Sequence, residues 1–214
     1  MNFQNGLILG NSITLHGTCS YWWGEWGMAA SCKENDFVHK LANKLNECPP
    51  PNKQIRFLNF YQWEVMAFDR AETLSLLNRV LVLSADFVVL QLGENIADST
   101  TLTSDLEELL SYLTKRLHPK KIIVLGNFWM NDTVDSIKQA VCEKTNATYI
   151  SLKDLQTPEY AVGLHTIVQG ADGSSHKIVH AGVARHPGDA AMAEIAQRIA
   201  KVLMSDENHS SIDS

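Results

Sequence analysis

A chain of 214 residues, 45% hydrophobic and 20% charged, has the composition of a protein that buries a core, which excludes disorder and low complexity. At about 150 residues per domain, the length predicts a single domain over residues 1–204 with a polar, disordered tail at 205–214 (SDENHSSIDS). Eighteen Lys and Arg against 24 Asp and Glu give a net charge of −6, with no basic stripe to neutralise a phosphate backbone, and so argue against a general nucleic-acid binder.

The first apolar run, Gly6 to Leu9, reads as a short buried strand ending at Gly10. The N-terminus ahead of it has no basic start, so the chain as it stands reads as cytoplasmic, or as exported if a leader was removed. A Trp-rich loop follows, then a helix with Phe37, Leu41 and Leu45 on one face, stopped by Pro49-Pro50-Pro51. Ile55 to Asn59 is the second strand, Ala71 to Leu81 a helix, and Phe87 to Leu92 the third strand. The longest apolar run, Val80 to Leu92, is broken by Ser84, Asp86 and Gln91 and falls short of the roughly 18 residues a membrane span requires.

Ser104 and Glu107 match a capping box, followed by an amphipathic helix with Leu106, Leu109, Leu110, Leu113 and Leu117 that ends before Pro119. Ile122 to Leu125 is the fourth strand, Val134 to Lys144 a helix, and Tyr149 to Ser151 the fifth strand. Residues 152–186 are long and irregular, which marks a functional segment or one with small strands of its own. Pro187 opens a last helix carrying Met192, Ile195, Ile199 and Val202. Five strands separated by helices predict an α/β fold, a three-layer sandwich around a mostly parallel five-stranded sheet. Cys19, Cys32, Cys48 and Cys142 lack CxxC spacing, which leaves a metal or thioredoxin-like site unsupported; Cys19 and Cys32 could pair in an exported protein, and packing thiols are the expectation.

Ligands of such sheets bind beyond the C-terminal ends of the strands, and three short blocks fall there. Gly10-Asn11-Ser12-Ile13-Thr14 follows the first strand, where Ser12 either caps a turn or projects its hydroxyl into the crevice. A phosphate cradle is the third reading, but the block lacks GK[ST]. Gly93-Glu94-Asn95 follows the third strand, and Asn95 either starts a turn or aims an amide N–H at a developing oxyanion. Arg185-His186-Pro187 precedes the last helix, with His186 one of eight histidines. A serine, an asparagine and a histidine converging on one edge say more than any of the three alone.

In block order, strand order and length the chain resembles the SGNH hydrolases, or GDSL family. GNSIT at 10–14 stands for the GDSxT-like block, GEN at 93–95 for the GxND-like block and HP at 186–187 for the DxxHP-like block. The resemblance implies the flavodoxin-like fold of that family and an esterase in which Ser12 is the nucleophile, His186 the base and Asn95 an oxyanion donor, with no metal and no cofactor. It also implies a small-molecule or carbohydrate ester as substrate.

Three positions depart from the pattern. Asn11 replaces Asp; Glu64 lies about where the oxyanion glycine is expected, either turned away or contacting substrate; and Val183 replaces the Asp three residues before His186. His186 then works in a dyad, its ring held by a carbonyl, or takes an acid from Asp172, Glu159, Glu64 or Glu94. Gly93, Glu94 and His16 are candidates for the rest of the site, His16 also as a rival base close to Ser12. Trp22, Trp23 and Trp26, three of the five tryptophans, either cover the sheet edge or form a platform for a sugar ring. The expected reaction is removal of a short acyl group from a carbohydrate. Lipase or thioesterase action on longer chains, an inactive glycan-binding module and a nucleotide- or flavin-binding domain are the alternatives.

Overall fold

The computed structural model describes residues 3–48, 52–78 and 84–209. The expected stop at Pro49–Pro51 and the expected helix end at Leu81 lie outside them. Strand β1 (Asn5–Gly10) leads to helix α1 (Phe37–Asn46), β2 (Gln54–Asn59), two short helices α2 (Tyr61–Val65) and α3 (Arg70–Leu77), and β3 (Phe87–Gln91). Next come α4 (Leu102–Leu117), β4 (Lys121–Leu125), α5 (Asp132–Thr145) and β5 (Thr148–Ile150). A small hairpin of β6 (Ile167–Gln169) and β7 (Ser175–Lys177), a one-turn helix α6 (Ala181–Ala184) and the long α7 (Asp189–His209) complete the chain.

The five main strands pair in the order β2-β1-β3-β4-β5, all parallel. Each lies within one residue of its expected bounds. Alternation along the strands sorts their side chains to two faces. Ile8, Val89, Ile123 and Leu125 pack against α1 and α7, while Leu7, Leu9, Val88, Leu90 and Val124 pack against α3, α4 and α5. The buried leucines of α4 (Leu102, Leu106, Leu109, Leu110, Leu113 and Leu117) follow helical spacing. Each such side chain stabilises the fold by about 1.5–3 kcal/mol.

Several local expectations are corrected. Helix α4 starts at Leu102, so Ser104 lies inside its first turn with its hydroxyl on the Thr101 carbonyl (2.8 Å), and there is no capping box. Pro187 is not the first residue of the last helix, which begins at Asp189; it forms a bridge with Ala161 instead. Helix α7 runs to His209, into the segment expected to be a tail. Among the described residues no helix is long and apolar enough to cross a membrane, and all four cysteines are free.

The strand order reverses between β1 and β3: the chain first moves outward to β2, then crosses back over β1. At such a switch point the connections leave to opposite faces and open a crevice beyond the strand ends. Ser12 follows β1 and Asn95 follows β3, so both stand at this crevice.

Candidate active site

Strand β1 ends in a tight turn. Asn11 is fully buried, its Oδ1 accepts from the Ile13 N–H (3.0 Å), and its carbonyl accepts from the Thr14 and Leu15 N–H groups (3.0 Å each). This is the side-chain-mimicked turn that Asn favours, and it lifts Ser12 into the crevice. Gln91, the last residue of β3, pins it from beside by accepting from Asn11 N (3.3 Å) and Thr14 Oγ1 (3.2 Å). Gly10 is required for this packing, since a Cβ there would collide with the Thr14 side chain. The Ser12 N–H meets no acceptor among the described residues.

Ser12 Oγ lies 2.8 Å from His186 Nε2. The other ring nitrogen, Nδ1, lies 2.8 Å from the Gly182 carbonyl. A carbonyl can only accept, so Nδ1 carries the proton and Nε2 presents its lone pair to the serine hydroxyl. The one-turn helix α6 creates this contact by aiming the Gly182 carbonyl at the ring, and Val183 points into the core (1% exposed). The acid candidates Asp172, Glu159, Glu64 and Glu94 do not contact His186; Asp172 instead takes Ser174. Burial pushes the His186 pKa down to about 4, reinforced by His16, Arg185 and His180 and opposed by the Gly182 hydrogen bond. Trp129 stands edge-on to the imidazole (4.9 Å, 90°) and donates its indole N–H to the Arg185 carbonyl (2.8 Å).

The third block is held from below by two carboxyls, the buried one of Glu64 and the half-buried one of Glu94. Glu64, in α2 and 1% exposed, takes the Gly93 N–H in a short hydrogen bond, Asn11 Nδ2 at 3.0 Å and Asn95 Nδ2 at 2.6 Å. Glu94 turns the other way and takes the Phe128 and Trp129 N–H groups (2.6 and 3.0 Å). Burial pushes the Glu94 pKa up to about 7 against the pull of Lys138 and these two donors. Gly93, at φ +133°, leaves no room for a Cβ beside Asn127 and Lys138.

Ser12, Asn95 and His186 line one cavity of about 360 Å³ together with His16. His16 shares the cavity, but its Nδ1 faces the Gly17 carbonyl (2.6 Å), and it is His186 that meets Ser12. Trp22 and Trp26 are core residues (0% and 5% exposed), and Trp23 stacks on His176 (4.3 Å), so none of the three lines the cavity as a platform. Glu64 and Glu94 also lie outside the lining. The walls are formed instead by Tyr21 stacked on His180 (4.3 Å), by Asn59 and Tyr61, and by Trp129. Sequence reading overlooked these residues, although Asn59 ends β2 and Trp129 follows β4, so both satisfy the same strand-end rule. Near the expected oxyanion glycine, the Tyr61 and Trp63 N–H groups are already engaged by Asn59 Oδ1 and the Phe60 carbonyl. Among the described residues no group of three His, Cys, Asp or Glu side chains is placed to hold a metal ion.

No family model matches the chain, and no curated protein sequence matches it. Solved structures do. A protein described as a GDSL-like lipase, from Bacteroides ovatus, superposes with TM-score 0.55 at 13% identity over 96% of this chain and 100% of that one. A family two carbohydrate esterase from Cellvibrio japonicus gives TM-score 0.55 at 14% identity over 94% of this chain and 61% of its own. The tail fibre protein of an E. coli phage gives TM-score 0.50 at 14% identity over 91% of this chain, which spans only 26% of that protein. At these identities the likeness is one of fold: the chain has the three-layer SGNH-hydrolase fold.

Proposed function

We propose that the protein is a serine esterase that removes a short acyl group from a carbohydrate or similar small ester. The observation that carries this reading is the Ser12 Oγ–His186 Nε2 contact of 2.8 Å, with the tautomer set by the Gly182 carbonyl, in a cavity at the sheet's switch point. Ser12 Oγ attacks the ester carbonyl carbon while its proton passes to His186 Nε2. The bond to the leaving alcohol then breaks and His186 returns the proton to that oxygen. Water attacks the acyl-enzyme by the same route and releases the acid.

Charge developing on the carbonyl oxygen is met by the unengaged Ser12 N–H and the Asn95 amide. Loss of one such donor typically costs about 10²–10³ in rate, so Asn95→Ala is expected to lower kcat by about that factor with KM little changed. An unchanged kcat would remove Asn95 from the site. A cavity of about 360 Å³ walled by Tyr21, Tyr61, Trp129 and Asn59 supports a small acyl group and a ring-shaped acceptor. The fold likeness to a carbohydrate esterase supports the same acceptor class.

The test is fluorophosphonate labelling read by mass spectrometry on wild type, Ser12→Ala and His186→Ala. One adduct on Ser12, abolished in both variants, is expected. A folded wild type that takes no adduct would overturn the esterase and favour a glycan-binding module without turnover.

A further inference from the structure

Two of the three departures from the GDSL pattern meet in space. Asn11 donates its Nδ2 to Glu64 Oε1 (3.0 Å), and an Asp at position 11 would set two carboxyl groups against each other there. Glu64 also reaches the third block, where it accepts from the N–H of Gly93, from that of Asn95 (3.5 Å) and from Asn95 Nδ2 (2.6 Å). A carboxyl buried to 1% exposure and fed by four N–H contacts lies directly beneath the cavity without lining it.

An asparagine amide has a donor end and an acceptor end of nearly the same shape. With Oδ1 toward Glu64, two acceptors would face each other in a buried site. Glu64 therefore selects the rotamer in which Nδ2 is presented. Nδ2 donates to Glu64 alone among the described residues, so its second hydrogen is unengaged, on a residue that lines the cavity. A flipped amide would offer lone pairs to a developing oxyanion and repel it. Asn11, whose Oδ1 is held by its own turn, anchors the carboxyl by donating Nδ2 to it.

We propose that Glu64 is the positioning residue of the oxyanion site: by accepting from Asn11 Nδ2 and Asn95 Nδ2 together, it fixes the donor face of Asn95 in register with the Ser12 turn. This rests on the esterase reading. Glu64 touches no reacting atom and acts through Asn95.

The experiment is a double-mutant cycle of Glu64→Gln and Asn95→Ala, with kcat and KM for p-nitrophenyl acetate, melting temperature, and the side-chain amide resonances of ¹⁵N-labelled protein. Glu64→Gln places an N–H where donors now converge, so kcat is expected to fall by about 10²–10³ with KM within about threefold. The Asn95 amide resonance is expected to shift. In the Asn95→Ala background the same substitution is expected to change kcat by less than about threefold, because the group it positions is gone. Multiplicative losses in the double variant, or wild-type kcat in Glu64→Gln, would overturn the proposal. If Glu64→Gln shows no cooperative melt, Glu64→Asp, which keeps both acceptors one methylene short, enters the same cycle with the same criteria. A wild type that neither hydrolyses the ester nor takes a fluorophosphonate adduct would sink the esterase and this proposal together. An active wild type with an additive cycle would sink this proposal alone.

Discussion

At the scale of single residues, the ring of His186 is held by a carbonyl in place of a carboxylate. A carboxylate would both orient the ring and stabilise the imidazolium; the Gly182 carbonyl orients it with only a dipole to offer. Burial then dominates and holds the pKa near 4. Since kcat/KM follows the ionisation of the free enzyme, the acid limb is expected near pH 4, well below the usual imidazole range. A limb near 6.5 would show that the ring is more hydrated than its 5% exposure indicates. The linkage sign follows: with the folded pKa depressed, the stability contribution of His186 is complete above about 6.5 and lost as pH falls toward 4. Asn11→Asp is expected to lower the melting temperature, because it sets a carboxyl oxygen against Glu64 where an N–H now donates, and an unchanged melting temperature would mean that Glu64 moves away.

At the scale of elements, the site depends on the loop after β3, and buried polar groups hold that loop. Asn127 donates to the Gly93 carbonyl (3.1 Å), while Lys138 reaches both Asn127 Oδ1 and the Leu125 carbonyl. Glu94 joins the loop to Phe128 and Trp129, and so to the residue that packs on His186. Gly93→Ala combines a positive φ with a collision against this cluster, and should cost about 2–4 kcal/mol in urea unfolding. Gly173 provides the contrast: its φ is also positive (+80°), but a Cβ there would meet nothing within 4 Å. Gly173→Ala should therefore cost only about 1 kcal/mol. Equal losses at the two positions would show that the cluster yields easily. Glu94 runs against His186 in its pH dependence: its raised pKa contributes stability that is present below about 4.5 and lost as pH rises through about 7.

At the scale of the whole molecule, the strand order gathers distant blocks at one point. Ser12 and His186 are 174 positions apart yet share a hydrogen bond, because β1 is an interior strand between β2 and β3 and the turn before α7 returns over its end. The resulting cavity of about 360 Å³ sets a limit on the acyl group. Acetyl esters are expected to exceed decanoyl esters in kcat/KM by at least about tenfold, since forcing about eight further methylenes into a cavity of this size displaces its walls at a cost of about 1–3 kcal/mol. Equal rates would remove the short-acyl reading and point to the second groove, beside Met130 and Leu164, as an acyl channel.

Hydrophobic periodicity by itself determined the five strands and the main helices, because burial against a sheet imposes a period on the chain that survives in one dimension. It likewise put Ser12 and Asn95 just after strands and His186 in the loop before the last helix, since topology follows from the alternation of elements. Local signals did less well. Ser104–Glu107 and Pro187 match helix-start patterns, but leucine burial and the bridge to Ala161 set those boundaries instead. The tryptophans at 22 and 26 read either as a platform or as cover for the sheet edge, and packing against the sheet face assigned both to the core. The partner of His186 is a backbone carbonyl, which no residue type announces. Glu64 lies 53 positions from Asn11 and 31 from Asn95, separations that encode no contact in the chain. Periodicity is a property of one element at a time, whereas hydrogen bonds between the ends of different elements exist only after the sheet has brought them together.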